Sequence, residues 1–406
     1  MLNSNLASRR RKEFIFKVLS LGAVTLILAI LAGIIGGLIY QATPALKKSF
    51  VGVKVYYDPS IVKGPIEHVD FDQLITVGLS QITDTPAEAE KLLSPFASLK
   101  LFNKVKKYPE LPGQTRWVWI PLSDEVDQFL KHPEQRALPE KNRRVKDTDI
   151  AILDSLESQR LIKQRFNWTF FTGGDSREPQ HAGIWSSLIG TFYTLLVTLL
   201  IAFPIAISSA LYLEEFATKN VLVRWIEVSI NNLASVPSII FGLLGLAIFL
   251  NVFHLPRSSA LVAGLTLAMM TLPTIIVASR SALQTVPKAI RQAAEGMGAS
   301  PVQVVFHHVL PLALPGMLTG TLLGLARAIG ECACLLMIGM VAFIVNAPAS
   351  PLDATTVLPV QIFNWARNPE AGFIENTSAA ILVLLIIVAF MNLAAIVLRR
   401  RFEHRW

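Results

Sequence analysis

The sequence is short of charge, cysteine and histidine. Charged residues make up only 16% of the 406 positions, while hydrophobic residues make up 52%. Together with a positive mean hydropathy, that imbalance excludes an ordinary water-soluble globule and points to a chain that crosses a membrane several times. The two cysteines, Cys332 and Cys334, stand two residues apart in an apolar run. Helical geometry turns such positions about 200° from each other and excludes a mutual disulfide. The redox compartment is not legible from them. No His, Cys, Asp or Glu residues recur at metal-ligand spacing, and G-x-x-x-x-G-K-[ST] does not occur, so neither a metal centre nor nucleotide hydrolysis is written in this chain.

What the chain has is six apolar runs. The first, Val18 to Tyr40, follows Arg9-Arg-Arg-Lys12 and is long enough for a bilayer core of about 30 Å. It is too long for a signal-peptide core and no small-x-small cleavage site follows, so it reads as a retained anchor. The others lie at 187–211, 233–253, 259–280, 315–345 and 378–398. Lys219 and Arg224, then Arg280, Lys288 and Arg291, fall in loops on the side of the N-terminus, and Arg399-Arg-Arg401 to Arg405 follows the last run; the loop between runs three and four holds only Arg257. That bias places both termini in the cytoplasm. The expected organisation is a basic N-terminus at 1–17, an anchor span at 18–40, an insertion on the far side at 41–182, a core of five more spans at 183–398 and a basic tail at 399–406.

The insertion is nearly neutral, with 20 Lys and Arg against 19 Asp and Glu between Ala42 and Gly183. Val51–Tyr57 and Trp117–Ile120 alternate as strands do, whereas residues 147–165 carry Ile150, Leu153, Leu156, Leu161 and Ile162 in a helical pattern. A mixed α/β domain follows. His68 and His132 stand alone and read as surface residues. Asn167-Trp-Thr169 fits a glycosylation sequon, a weak three-residue pattern.

Between runs four and five lies a capped corner. Pro287 suits a first helical turn, Lys288–Met297 are good helix formers, and Gly298 can take the left-handed cap. Ser300, Pro301 and Gln303 then start a second helix as N-cap, first position and capping-box partner. Val302, Val305, Phe306 and Val309 give it an apolar face. The corner reads either as a docking element or as a compact connection.

Run five carries a stripe. At about 100° per residue from Gly316, Gly320 falls near 40°, Gly324 near 80°, Arg327 near 20° and Glu331 near 60°. Small residues four apart admit a neighbouring helix closely. Ionisable groups at membrane depth face a bundle interior or a wet path and find partners. Arg327 and Glu331 therefore read either as an internal lock or as the lining of an anion path. In run three, Ser235-Val-Pro-Ser238 offers hydroxyls that either satisfy backbone freed by the proline or line the same path. Pro204 and Pro273 suggest bent helices in runs two and four.

The corner, Gln292-Ala293-Ala294, Gly298, then His308-Val-Leu310-Pro311, resembles the EAA loop of binding-protein-dependent ABC importer permeases, with Gln and His as departures. Within that family, Ser235–Gly242, Leu325–Glu331 and Leu358–Phe363 resemble segments of the phosphate permeases, over roughly residues 166 to 400. The resemblance implies an all-α polytopic membrane protein: six transmembrane helices, a type I ABC importer core and, between helices one and two, the α/β insertion in the periplasm. It implies a substrate pathway through Arg327 and Glu331, to which the reading of the residues themselves adds Ser235 and Ser238, with helix packing at Gly316, Gly320 and Gly324. ATPase coupling would fall to Gln292, Ala293, Ala294, Gly298, Ser300, Leu310 and Pro311, within a loop at 287–311. It further implies a bacterial inner-membrane location, a PstC-type permease as the other half of the pore, two copies of a PstB-type ATPase that bind the ATP, a periplasmic phosphate-binding protein, surrounding lipid, and no nucleic acid. The chain itself would be no enzyme and hold no cofactor or metal. A permease for sulfate or molybdate on the same scaffold, and a membrane sensor whose insertion binds a ligand, are the alternatives.

Overall fold

The computed structural model describes residues 2–58, 70–108, 110–218 and 220–402; His68, Lys219 and Arg405 lie outside the described residues. Helix α1 (Leu2–Ala42) carries the anchor. A three-stranded sheet in the order β2-β1-β3 follows, built from β1 (Lys47–Tyr56), β2 (Thr115–Pro121) and β3 (Ile162–Phe166). Both pairings are antiparallel, with Gly52 opposite Trp119 and Phe50 opposite Lys163. Val51, Val53 and Val55 point to one face by the two-residue period of a strand. There they meet buried Leu74, Leu101, Ile120, Phe129 and Leu153 in the insertion's own core.

The two expected strands are present, but the expected helix over 147–165 is not one element. It runs from Asp147 to Ser158, Arg160 adopts a left-handed φ of 57°, and the chain continues as β3. The physical reason is non-local: β1 offers an unpaired edge, and five backbone pairings outweigh the weak local preference of Leu161 and Ile162. The sequon asparagine is also spoken for, since Asn167 is 4% exposed and its Nδ2 donates to the Ala45 carbonyl.

The insertion is tied to the membrane part by a buried polar knot. Helix α2 (Asp124–Lys131) has acids in its first turn and Lys131 in its last, as the helix dipole favours. Asp127 accepts from the Ser49 N–H at 2.7 Å and pairs with Lys131 at 2.6 Å. Lys131 lies 3.6 Å from Glu375, which also accepts from Gln128 at 3.0 Å and hydrogen-bonds His132 at 2.8 Å. His132 is thus no isolated surface residue; its partner is 243 positions away, out of reach of sequence spacing. Replacing Lys131 by Met would leave Asp127 and Glu375 as buried, uncompensated carboxylates, at a cost of about 3–5 kcal/mol. The expected result is a lower unfolding temperature and faster proteolysis of the insertion, and unchanged values for both would refute the role.

The membrane part is helical. After α3 (Trp185–Leu211) come α4 (Val221–Ala234), α5 (Ser238–Gly245), α6 (Ala260–Gln284), α7 (Lys288–Gly296), α8 (Leu310–Ile329), α9 (Leu358–Ala366) and α10 (Ala371–Phe402). Five helices among the described residues are long and apolar enough to span a membrane, and one pair bent by 102°, Val221–Ala234 with Ser238–Val252, makes a sixth. Helices α3 and α6 pack most extensively, with Thr198 Oγ1 donating to the Gly264 carbonyl at 3.1 Å.

Two expected runs are corrected. Run three is no continuous span over 233–253, because Pro237 removes an N–H and disfavours a helical Val236 before it. Run five does not start at 315 or reach 345. Its helix begins at Pro301, passes through a π-helical stretch at Val304–Val309 and ends at Ile329. The wide turn takes up Pro311, whose ring would clash with the carbonyl four residues back in a regular helix. The second helix of the corner is therefore the first turns of span five itself.

Candidate functional site

A cavity of about 330 Å³ opens at the break between α4 and α5. Ser235 ends α4: its N–H and Oγ both reach the Asn232 carbonyl, at 3.1 and 2.7 Å. Pro237 then caps α5 in an extended conformation, ψ 136°. The first turn of a helix has N–H groups without intrahelical partners, and Pro237 and Ser238 put that positive end in the cavity wall. Opposite stand Thr271 and Thr274 of α6 and Gly324, Arg327 and Glu331 at the end of α8.

All four residues expected on the pathway, Ser235, Ser238, Arg327 and Glu331, line this one cavity. Their relation differs from the expectation in one respect. Helix α8 ends at Ile329, with Gly330 and Glu331 donating to the carbonyls of Arg327 and Ala328. Glu331 therefore lies past the helix and off the stripe, and among the described residues neither Arg327 nor Glu331 enters an ion pair. Arg327 is exposed and Glu331 half-exposed. A cation, a carboxylate, hydroxyls and a helix N-terminus together can hold an anion that also has a proton to donate. Thr271 and Thr274 were not singled out from sequence; their signal is Thr271-Leu-Pro-Thr274, hydroxyls flanking a proline inside a span.

The glycines face α6. A Cβ on Gly316 or Gly320 would lie 2.8 or 2.4 Å from the Cβ of Ala282 or Ala278, and one on Gly324 would lie 3.3 Å from Ile275. Gly324 also borders the cavity, so the packed stripe delivers Arg327 to it.

At the corner, α7 closes with a Schellman arrangement: Gly298 at φ +88° donates to the Glu295 carbonyl, and Ala299 to that of Ala294. Ser300 and Gln303 form the capping box, at 2.9 and 3.4 Å. Pro287 sits at the N-cap, one position before its expected place. Ala294, Val304, Val305 and Val309 are buried against the end of α6, whereas Gln292, Ala293, Met297 and Val302 remain exposed. Leu310 and Pro311 belong to span five, and Phe306 is also exposed, so only half of the expected apolar face is buried.

An ion-pair network holds this corner in place. Arg291 grips Glu215 through two nitrogens at 3.1 and 2.6 Å and also donates to the carbonyls of Val286 and Leu283. Arg280 meets Glu227 at 2.7 Å and Glu214 at 3.3 Å. Glu214 and Glu215 lie on a π-helical turn, Tyr212–Phe216, that extends α3. In the sequence, Arg280 and Arg291 are legible as charges on the cytoplasmic side, but their carboxylate partners, 53 to 76 positions away, are not.

A broken-helix cavity within a bundle of apolar helices, with a capped corner at one end, defines a polytopic membrane permease. Comparison with known proteins gives the family. Residues 202–406 match the binding-protein-dependent transport system inner membrane components, and residues 3–140 match a domain of unknown function. The chain belongs to the binding-protein-dependent transport system inner membrane component family. It is 32% identical over 233 residues to phosphate transport system permease protein PstA 1 of Mycobacterium tuberculosis strain H37Rv, covering 57% of this chain and 74% of that protein. It is 29% identical to the probable ABC transporter permease YqgI of Bacillus subtilis, covering 60% and 88%. It is 31% identical to phosphate transport system permease protein PstC of Haemophilus influenzae, covering 55% and 78%. Among solved structures, an inward-facing MetNI methionine ABC transporter aligns at a TM-score of 0.45 and 20% identity, over 54% of this chain and 98% of that one.

Proposed function

We propose that this chain is the permease half of an ATP-driven importer of inorganic phosphate in a bacterial inner membrane, with both termini in the cytoplasm. The observation that carries the reading is the cavity shared by Ser235, Ser238, Arg327 and Glu331; the relatives named as phosphate permeases support the substrate. Phosphate keeps a proton at neutral pH, whereas sulfate and molybdate do not. A carboxylate facing the anion accepts from a protonated oxyanion and repels an unprotonated one, so Glu331 favours phosphate over those two.

The exposed Gln292, Ala293, Gly298 and Ser300 form the surface that meets the ATPase, and Leu310 and Pro311 carry its movement into span five. A PstC-type permease completes the pore, two PstB-type ATPase subunits supply the hydrolysis, and a periplasmic phosphate-binding protein delivers the substrate. The test is cross-linking in native membranes from cysteines placed at Ala299 and Ser300. Capture of a nucleotide-binding subunit is expected from both positions, and its absence from both would overturn the coupling assignment. Uptake of labelled phosphate, competed by sulfate or molybdate, separates the substrates: competition as strong as by unlabelled phosphate would overturn the phosphate reading.

A further inference from the structure

The insertion is nearly neutral as a whole, but its charges are unevenly spread. Strands β1, β2 and β3 and the helix Ala97–Lys107 beside them all carry lysine or arginine, and none of the four carries aspartate or glutamate. The acids sit elsewhere. One face of the sheet packs on the core through Val51, Val53 and Val55, so the strand period puts Phe50, Gly52, Lys54 and Tyr56 on the other. Cross-strand pairing brings Trp117 and Trp119 of β2 and Lys163 and Arg165 of β3 to that second face.

The aromatic and basic groups there are fitted to one another. Gly52 has no side chain and the Trp119 ring lies close over it, since a Cβ at Gly52 would be 3.2 Å from the ring. Lys163 and Arg165 stack on that ring at 4.7 and 4.8 Å from its centre. Lys100 stands 4.5 Å from the centre of the Phe50 ring and donates to the Trp119 carbonyl at 2.6 Å. These contacts hold the cations in place. Among the described residues, none of Lys54, Lys100, Lys163 and Arg165 enters an ion pair with a carboxylate. Burial, followed by the nearby charges of Arg165 and Lys104, pulls the Lys100 ammonium down to about 8. The chain leaves this repulsion unrelieved, and an anionic surface laid on the face relieves it.

Size, residue type and position select the occupant. From Lys48 to Tyr56 the face runs about 26 Å at about 3.3 Å per residue, the breadth of a standard protein contact of about 800 Å² per side and far more than a single ion or headgroup covers. Trp117 and Tyr56 are 53% and 44% exposed, and with Arg165 they are the residue types that anchor protein contacts. The face starts beside the permease core, where Lys48 donates to the Gln180 carbonyl at 2.8 Å in the segment that leads into α3. We propose that this open sheet face docks an acidic surface of the periplasmic phosphate-binding protein, with Trp117 and Tyr56 as anchors and Lys54, Lys163 and Arg165 as the charge complement. The identity of that partner rests on the phosphate-importer reading; the acidic, protein-sized character of its surface rests on the face itself.

The test places a photo-crosslinking residue at Trp117 or at Tyr56 of the assembled complex in living cells and identifies the adducts by peptide mass spectrometry. The phosphate-binding protein is expected from both positions. Capture of a binding protein for another solute would uphold the docking face and sink the phosphate reading, whereas capture of the partner permease, of lipid or of nothing from both positions would overturn the docking assignment. A second arm measures binding of the purified phosphate-binding protein to the complex in discs of phosphatidylcholine, whose headgroup has no net charge. Lys54→Glu combined with Lys163→Glu is expected to slow association about tenfold near 0.01 M salt, and the difference should vanish near 1 M, as the screening length falls from about 30 to about 3 Å. Trp117→Ala is expected to weaken binding about tenfold at either salt concentration. All three substitutions are at exposed positions, so unfolding temperatures should match that of the unaltered complex. Unchanged binding in both variants would overturn the assignment.

Discussion

Arg327→Gln is expected to lower phosphate uptake about 10- to 100-fold in a deletion strain complemented with the variant, with membrane insertion and subunit assembly unchanged. The magnitude follows from one charge-assisted hydrogen bond to the passing anion, about 1.5–3 kcal/mol. Arg327 is placed to act this way because Gly316, Gly320 and Gly324 seat α8 against α6, so the end of the helix reaches the cavity. Arg327 has no carboxylate partner among the described residues, so losing it leaves no orphaned charge in the bundle, and the defect should appear in transport while thermal stability holds. Glu331→Gln is expected to do something different. An amide removes the repulsion toward an unprotonated oxyanion, so sulfate should become a better competitor while phosphate uptake falls less than in Arg327→Gln. Unchanged uptake in both variants would sink the pathway role of the cavity.

The second large effect is expected at the corner. Arg291→Ala should uncouple the machine, with ATP hydrolysis by the assembled complex persisting while uptake falls severalfold or more. Arg291 joins α7 to the end of α3 through Glu215 and to the end of α6 through two carbonyls. Movement of α7 is thereby shared with both spans. Removing the guanidinium leaves Glu215, whose side chain is 9% exposed, without its partner. The cost is about 1.5–3 kcal/mol; it stays below the about 3–5 kcal/mol of a fully buried pair because water still reaches Arg291. Arg291→Lys keeps the charge but loses the two-nitrogen grip, and should give an intermediate defect. A fully coupled Arg291→Ala complex would show that the network is only packing.

The apolar runs, the basic clusters and the capping residues of the corner depend on neighbours within about one or two helical turns, and such features are legible in a linear sequence. The membrane class, the insertion between spans one and two, the Gly298 cap and the Ser300–Gln303 box could all be read that way. The misreadings share a different cause. Residues 159–166 left the helix because β1 was there to pair with, His132 found Glu375 across the fold, and Glu331 slipped off the stripe because α8 stopped at Ile329. No local pattern encodes those outcomes.

By itself, the sequence determined that this is a multi-spanning membrane protein with a capped corner and ionisable groups inside one apolar run; that they stand at the end of a span follows from where α8 stops. Periodicity, length and charge bias are properties of the chain before it folds. Only the tertiary structure decided that Ser235, Ser238, Arg327 and Glu331 share one cavity, that the corner is clamped by Glu215, and that the insertion is anchored at Glu375. Each of those depends on side chains distant in sequence meeting across packed helices. The packing that brings them together is set by the whole bundle at once.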